Sequence, residues 1–202
     1  MTILSPQDQF IMKLCFATNN KNKILEIKSI LKDKFEILSL QEIGCHEELP
    51  ETRDTIEGNS LQKAEYVWQN YKVNCFSDDS GLEVAALNGE PGVYSAMYAG
   101  PTCNAEDNMA LLLTKMEGKE NRNALFRTCI TLIINGEVHS FEGNVKGTIL
   151  TKKQGEKGFG YDPIFKPESF EKSFAEMSRE EKNLISHRGR AVKLLAEYLT
   201  EL

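Results

Sequence analysis

Apolar and polar positions along the chain divide it into short buried runs and helix-spaced stripes. KLCFAT (13–18) is largely apolar and predicts a buried strand. It stops at the capping residues Thr18-Asn19-Asn20, after which Ile24, Ile27 and Leu31 recur at helical spacing. FEILSL (35–40) predicts the next strand. The acidic loop HEELPETRD (46–54) then leads into a helix carrying Leu61, Ala64, Trp68 and Tyr71 on one face. NCFSDD (74–79) predicts a strand before a Gly-rich stretch, and NAEDNMALLLTKM (104–116) a capped helix. ALFRTCITLII (124–134), Asn135-Gly136 and EVHSFEGNVKGTIL (137–150) predict a hairpin. In its second arm Phe141, Val145 and Ile149 alternate with Ser140, Glu142, Asn144 and Lys146. A last helix carries Ala191, Leu194, Leu195, Tyr198 and Leu199. Strands and helices alternate until the hairpin interrupts them, which predicts an α/β fold with a mixed sheet.

Length and composition narrow the setting. A chain of 202 residues suits one large domain or one domain with a small lobe. We expect a single domain over 12–202, preceded by a loose extension at 1–11. Pro6, Asp8 and the lack of a basic start make that extension a poor signal peptide. No run approaches the roughly 18 apolar residues of a membrane span, so no membrane partner is expected. The five cysteines are odd in number and form no CxxC, which points to reduced thiols and a cytoplasmic location. The three histidines show no HExxH spacing, which argues against a transition-metal site. A net charge of −6 provides no basic field for nucleic acid, so an anionic ligand must be attracted locally.

Four segments carry candidate chemistry. In TNNKNK (18–23) a strand runs into a helix N-terminus with lysines in its first turns, which suits an anion, although a plain capped helix reads the same way. Asp78-Asp79 closes a strand whose successive side chains face opposite ways. One of these carboxylates, backed by acids of the 47–54 loop, would make a hard-oxygen site for Mg²⁺; a polar strand end is the alternative. In GEKGFGYDP (155–163), Gly158 and Gly160 flank Phe159, which could stack on a flat ligand or pack in a tight turn. REEKNLISHRGR (179–190) gathers Arg179, Lys182, His187, Arg188 and Arg190 as a cationic clamp or a solvated helix face. Together these supply a phosphate seat, a metal site, a stacking platform and a clamp, the parts needed to hydrolyse a nucleoside triphosphate.

FATNNKNKILE, LPETRDTIEGNSLQKA, SDDSGLEVAALNGEPGVYSA, EGNVKGTI, GEKGFGYDPIF and FAEMSREEKNLISHRGRA follow one another from about Lys13 to the C-terminus. In that order they resemble the inosine triphosphate pyrophosphatase family, also called Ham1-like. The resemblance implies an elongated mixed β-sheet flanked by helices in two lobes, with a substrate cleft between them. It implies a homodimer that uses Mg²⁺ to convert ITP, dITP and XTP to the monophosphate plus pyrophosphate. Carried over residue by residue, Thr18, Asn19, Asn20, Lys21, Asn22 and Lys23 match the phosphate-binding turn. Glu51 and Asp79 match the metal ligands, Asp79 also the proton acceptor, and Ser80 a substrate contact. Phe159, Gly160, Tyr161 and Asp162 match the base-binding stretch, Lys182 a substrate lysine, and His187-Arg188 the pair that reads the 6-oxo edge. Asp78, pointing the other way or standing behind Asp79, would then orient it. Met97 stands where the family commonly has arginine. Gly58 lacks a family carboxylate, for which Glu57 could substitute. A nucleotide pyrophosphatase with another base preference, Maf-like, and a silent nucleotide-binding sensor are the competing readings.

Overall fold

A computed structural model describes residues 12–31 and 35–202; the extension at 1–11 lies outside them. The first two strands, β1 (Lys13–Phe16) and β2 (Glu36–Leu38), bracket helix α1 (Lys21–Leu31). Helix α2 (Ile56–Tyr71), strand β3 (Cys75–Val84), the short β4 (Pro91–Gly92) and helix α3 (Ala105–Lys115) follow. The hairpin β5 (Asn123–Ile134) and β6 (Glu137–Ile149), β7 (Phe165–Pro167), and helices α4 (Arg179–Ile185) and α5 (His187–Glu201) complete the order.

The sheet runs β2-β1-β3-β5-β6-β7, with β4 added beside β3. β1 pairs in parallel with β2 and β3, and the other pairings are antiparallel. The mixed sheet expected from the alternation is therefore present. The hairpin turns at Asn135 (φ 52°) and Gly136 (φ 87°), the paired positive φ values of a two-residue turn that matches strand twist. FEILSL yields only three strand residues.

Three apolar clusters anchor the layers. Leu14, Phe16, Ile27, Phe76, Ile130 and Leu195 join α1 and α5 to one face of the sheet. Cys15, Ala17, Leu40, Ala64, Val67 and Ile133 join α2 to the other. Leu82, Met109, Leu112, Phe126, Phe165 and Phe174 form the third around α3 and the far ends of β3, β5 and β6. On α2, the expected Ala64, Trp68 and Tyr71 do pack in the second cluster, while the most deeply buried face is shifted. Its buried stripe is Ile56, Asn59, Ser60, Lys63, Ala64 and Val67, half of it polar, because it lies on a polar row of the sheet. Ser60 there bonds Thr131 (3.0 Å) and Ser77 (3.2 Å).

Gly143 lets α5 lie directly on β6: a Cβ there would overlap the His187 carbonyl and sit 2.5 Å from the Ala191 amide. Ser186 ends α4 and caps α5, accepting from the Gly189 amide at 3.0 Å. The chain thus turns sharply with His187 and Arg188 at the bend, both buried.

Candidate active site

A cavity of about 380 Å³ gathers residues from every predicted segment: Asn20, Asn22, Lys23, Glu51, Asp79, Ser80, Phe159, Gly160, Tyr161, Asp162, Lys182, His187 and Arg188 all line it. Thr18, Asn19 and Lys21 do not. Thr18 closes the turn by accepting from the Asn20 amide (3.2 Å), and Asn20 Oδ1 caps α1 by accepting from the amides of Asn22 (3.0 Å) and Lys23 (3.2 Å). A larger cavity of about 730 Å³ lies elsewhere, along Glu83, Leu125, Lys146, Lys166 and Phe170. None of the buried unpaired polar atoms lies on its walls. The candidate residues converge on the smaller one.

Alternation in β3 separates the two aspartates. Asp78 faces α1 and α5, where Arg188 Nε donates to Oδ2 at 3.0 Å and Lys23 Nζ lies 3.0 Å from Oδ1. That second contact is an ion pair without a well-directed hydrogen bond, since Oδ1 accepts none. Burial alone would raise the Asp78 carboxyl; Lys23, Arg188 and Lys63 outweigh it and hold the group well below the usual range. Asp78 therefore fixes Lys23 and Arg188, and it points away from Asp79, as the alternation of the strand predicts.

Asp79 faces α2. Lys63 Nζ lies 3.8 Å from Asp79 Oδ1 and makes a short ion pair with half-exposed Glu51. Burial pushes Asp79 above the ordinary carboxylate range against the pull of Lys63 and Lys23, while Asp79 and Glu51 overcome burial to raise Lys63. The charges of Glu51 and Asp78 add to the rise in Asp79, and Asp79 is the strongest of the charges that raise Lys63. Asp79 Oδ2 is buried without a partner. The donor set of Glu51 and Asp79 fits a hard divalent cation, which commonly takes one or two carboxylates and completes its shell with water and phosphate. Glu57 does not add to it, because its carboxylate is taken by Arg127. Gly58 is packed close, with a Cβ there 2.8 Å from Arg53 Cβ.

At the other end, Arg188 spends Nε on Asp78, Nη1 on Glu26 (2.5 Å) and Nη2 on Ser80 (3.1 Å), leaving two of its five N–H groups. Lys182 donates to Glu26 (2.8 Å) and Asp162 (2.6 Å). Burial would raise Glu26; Arg188 and Lys182 outweigh it and lower it. Asp162 also accepts from the Phe159 amide (2.8 Å), and Gly158, at φ 77°, leaves room for that carboxylate. The Phe159 ring covers the cations, 4.8 Å from Lys182 Nζ and 5.5 Å from the Arg188 guanidinium carbon. Tyr161 is largely core, its hydroxyl donating to the Ser95 carbonyl at 2.8 Å. His187 stacks on Phe126 with centroids 4.5 Å apart. Burial, with Arg188 and Lys182, pushes it well below the usual histidine range, so it is neutral. Its Nδ1 has no partner.

Residues 14–198 match the model of the Ham1 family. The chain belongs to the Ham1 family. The dITP/XTP pyrophosphatase of Flavobacterium johnsoniae is 58% identical over 94% of this chain and 98% of its own length. That of Flavobacterium psychrophilum is 57% identical over 93% and 98%. The solved Ham1 protein of Staphylococcus aureus superposes with a TM-score of 0.85 at 39% identity, over 94% of this chain and 98% of its own.

Two participants were missed in sequence. Lys63 and Glu26 are charges on buried helix faces, beside Ala64-Val67 and Ile27-Leu31. A charge interrupting an apolar stripe is the signal that would have found them. Met97 is 51% exposed, beside Ala96 of the cavity wall.

Proposed function

We propose that this chain hydrolyses ITP, dITP and XTP to the monophosphate and pyrophosphate, by attack of water on the α-phosphorus with Mg²⁺ as cofactor. It acts as one domain over 12–202, in the cytoplasm and as a homodimer. Among the described residues no helix is long and apolar enough to cross a membrane, and the relatives are named for this activity. One observation carries the reading: Asp79 and His187 line the same cavity, and each carries a buried polar atom without a partner, Oδ2 and Nδ1. A carboxylate able to take a metal and a neutral ring able to read a base thus share one substrate-sized space.

Glu51 and Asp79, both on the cavity wall, would hold the cation. When bound, it polarises the phosphate oxygens and acidifies water. Asp79 orients the attacking water and accepts its proton through the unpaired Oδ2. Lys23, on the cavity wall, faces the developing negative charge, and the Asn20–Lys23 turn seats phosphate at the start of α1. Phe159 stacks on the purine, with Lys182 and Asp162 as its support. His187 and the two free N–H groups of Arg188 meet the 6-oxo acceptor. Opposite adenine's 6-amino group those donors stay unpaired, which discriminates against ATP.

The test is release of pyrophosphate and orthophosphate from ITP, XTP, GTP and ATP with Mg²⁺, run beside Asp79→Asn. Pyrophosphate from ITP and XTP alone, lost in the variant, is expected. Orthophosphate as first product would overturn α-attack, and preferential turnover of pyrimidine triphosphates would favour the Maf-like reading.

A further inference from the structure

The loop that carries Glu51 lies along α2 and is tied to it turn by turn. The Arg53 amide donates to Asn59 Oδ1 at 2.8 Å. One turn on, the Thr52 amide donates to Gln62 Oε1 and Gln62 Nε2 donates back to Thr52 Oγ1, both at 2.9 Å. Lys63 pairs with Glu51 itself. A further turn on, the hydroxyls of Tyr66 (2.9 Å) and Tyr71 (2.6 Å) converge on Glu47 Oε1. The anchoring positions 59, 62, 63 and 66 form one helical face, and the loop passes them in reverse order, so Glu51 is pinned on both sides.

Most of these ties add little to fold stability. Leu49 already packs the loop into the cluster beneath α2, and apart from the part-buried Arg53–Asn59 bond the bonds on either side of Glu51 are exposed, where water competes for each partner. What they fix is the place of a half-exposed carboxylate that would otherwise move with its loop. We propose that Gln62, through its reciprocal pair with Thr52, is a positioning residue for Glu51 as a metal ligand, with the tyrosine clasp on Glu47 holding the other side. The inference rests on the assignment of Glu51 and Asp79 as the divalent-cation site. Groups that orient a ligand from behind typically change metal affinity by about 10- to 100-fold when removed.

The experiment titrates Mn²⁺ into the metal-free protein and follows the free-ion electron paramagnetic resonance signal, with thermal melting of each protein alongside. Asp79→Asn is expected to abolish the site, which establishes the assignment independently. Gln62→Ala should weaken Mn²⁺ binding about tenfold, with a melting temperature within about 2 °C of wild type. Tyr66→Phe with Tyr71→Phe should weaken it similarly. Exposed Gln69→Ala should leave it unchanged. In turnover, Gln62→Ala should need more Mg²⁺ for half-maximal rate and recover most of kcat at saturation. Unchanged Mn²⁺ affinity in Gln62→Ala, with the site lost in Asp79→Asn, overturns the positioning role alone. So does weakening that merely tracks a large fall in melting temperature. If wild type and Asp79→Asn bind Mn²⁺ alike, the cation assignment fails and the inference falls with it.

Discussion

Asp78 and Asp79 are adjacent in β3, both buried, and have opposite surroundings. Asp78 is fully enclosed between Lys23 and Arg188, in a network that continues through Glu26 and Lys182 to Asp162. Asp79, through the pleat, meets one ammonium at 3.8 Å and keeps an oxygen unpaired at a cavity wall. The same side chain serves as a strut on one face and, in the function proposed above, as a reactive group on the other. A carboxylate whose charge is already matched holds geometry, whereas one left short of partners can take a cation or a proton.

Removing each carboxylate should separate the roles. Asp79→Asn keeps the shape but loses the charged oxygen, so we expect kcat to fall about 10³-fold, as for loss of a general base, with near-native stability. Asp78→Asn leaves Lys23 and Arg188 short of a buried partner and should cost about 3 kcal/mol in chemical denaturation. Similar stability losses in both variants would break the comparison.

The pH dependence of folding in metal-free buffer should carry opposite signs. Asp78 is lowered in the folded state, so its stabilisation is present above the unfolded carboxylate range near about pH 4 and is lost as pH falls toward its folded value. Asp79 is raised, so its contribution is present below that range and is lost as pH rises through its folded value. Relative to wild type, Asp79→Asn should therefore gain stability on raising the pH above about 4, and Asp78→Asn should gain it on lowering the pH below about 4. Denaturation series on both sides of that value read both.

Much of this was legible because the signals are local. The 135–136 turn, the Asn20 cap, and the even and odd faces of a strand follow from residue type and period. The family segments led to Glu51, Asp79, Lys182 and the His187-Arg188 pair. The partnerships were not legible. Nothing near Asp78 in sequence says that its cation comes from Arg188, 110 residues on. The α2 face misled because an apolar stripe was sought, while the helix turns Asn59, Ser60 and Lys63 inward toward polar side chains of the sheet. Glu26 was hidden by the same assumption.

The base end tests whether unpaired atoms mark function there as well. His187→Phe keeps a ring to stack on Phe126 and removes the nitrogens. We expect kcat/KM for ITP to fall about 10- to 100-fold, the worth of one or two buried hydrogen bonds, with ATP changed much less. An equal loss for both nucleotides would make His187 a packing residue, like Asp78 a strut.

The smallest effect belongs to the exposed counterpart of the buried network. Arg127, opposite Asn144 in the β5–β6 ladder and diagonal to Glu142, pairs with Glu57, Glu142 (3.0 Å) and Glu83 (3.6 Å). Glu142→Gln leaves Arg127 two other carboxylates, and half-exposed pairs are screened by water. The cost should be about 0.5 kcal/mol and shrink with added salt. Glu83 reads the same change from within. Burial, with the charge of Glu142, holds it above the ordinary range. Removing that charge should bring its titration down toward normal, observable by carboxyl-carbon NMR. A stability loss comparable to that of Asp78→Asn would mean that number of partners, not burial, sets what these ion pairs contribute.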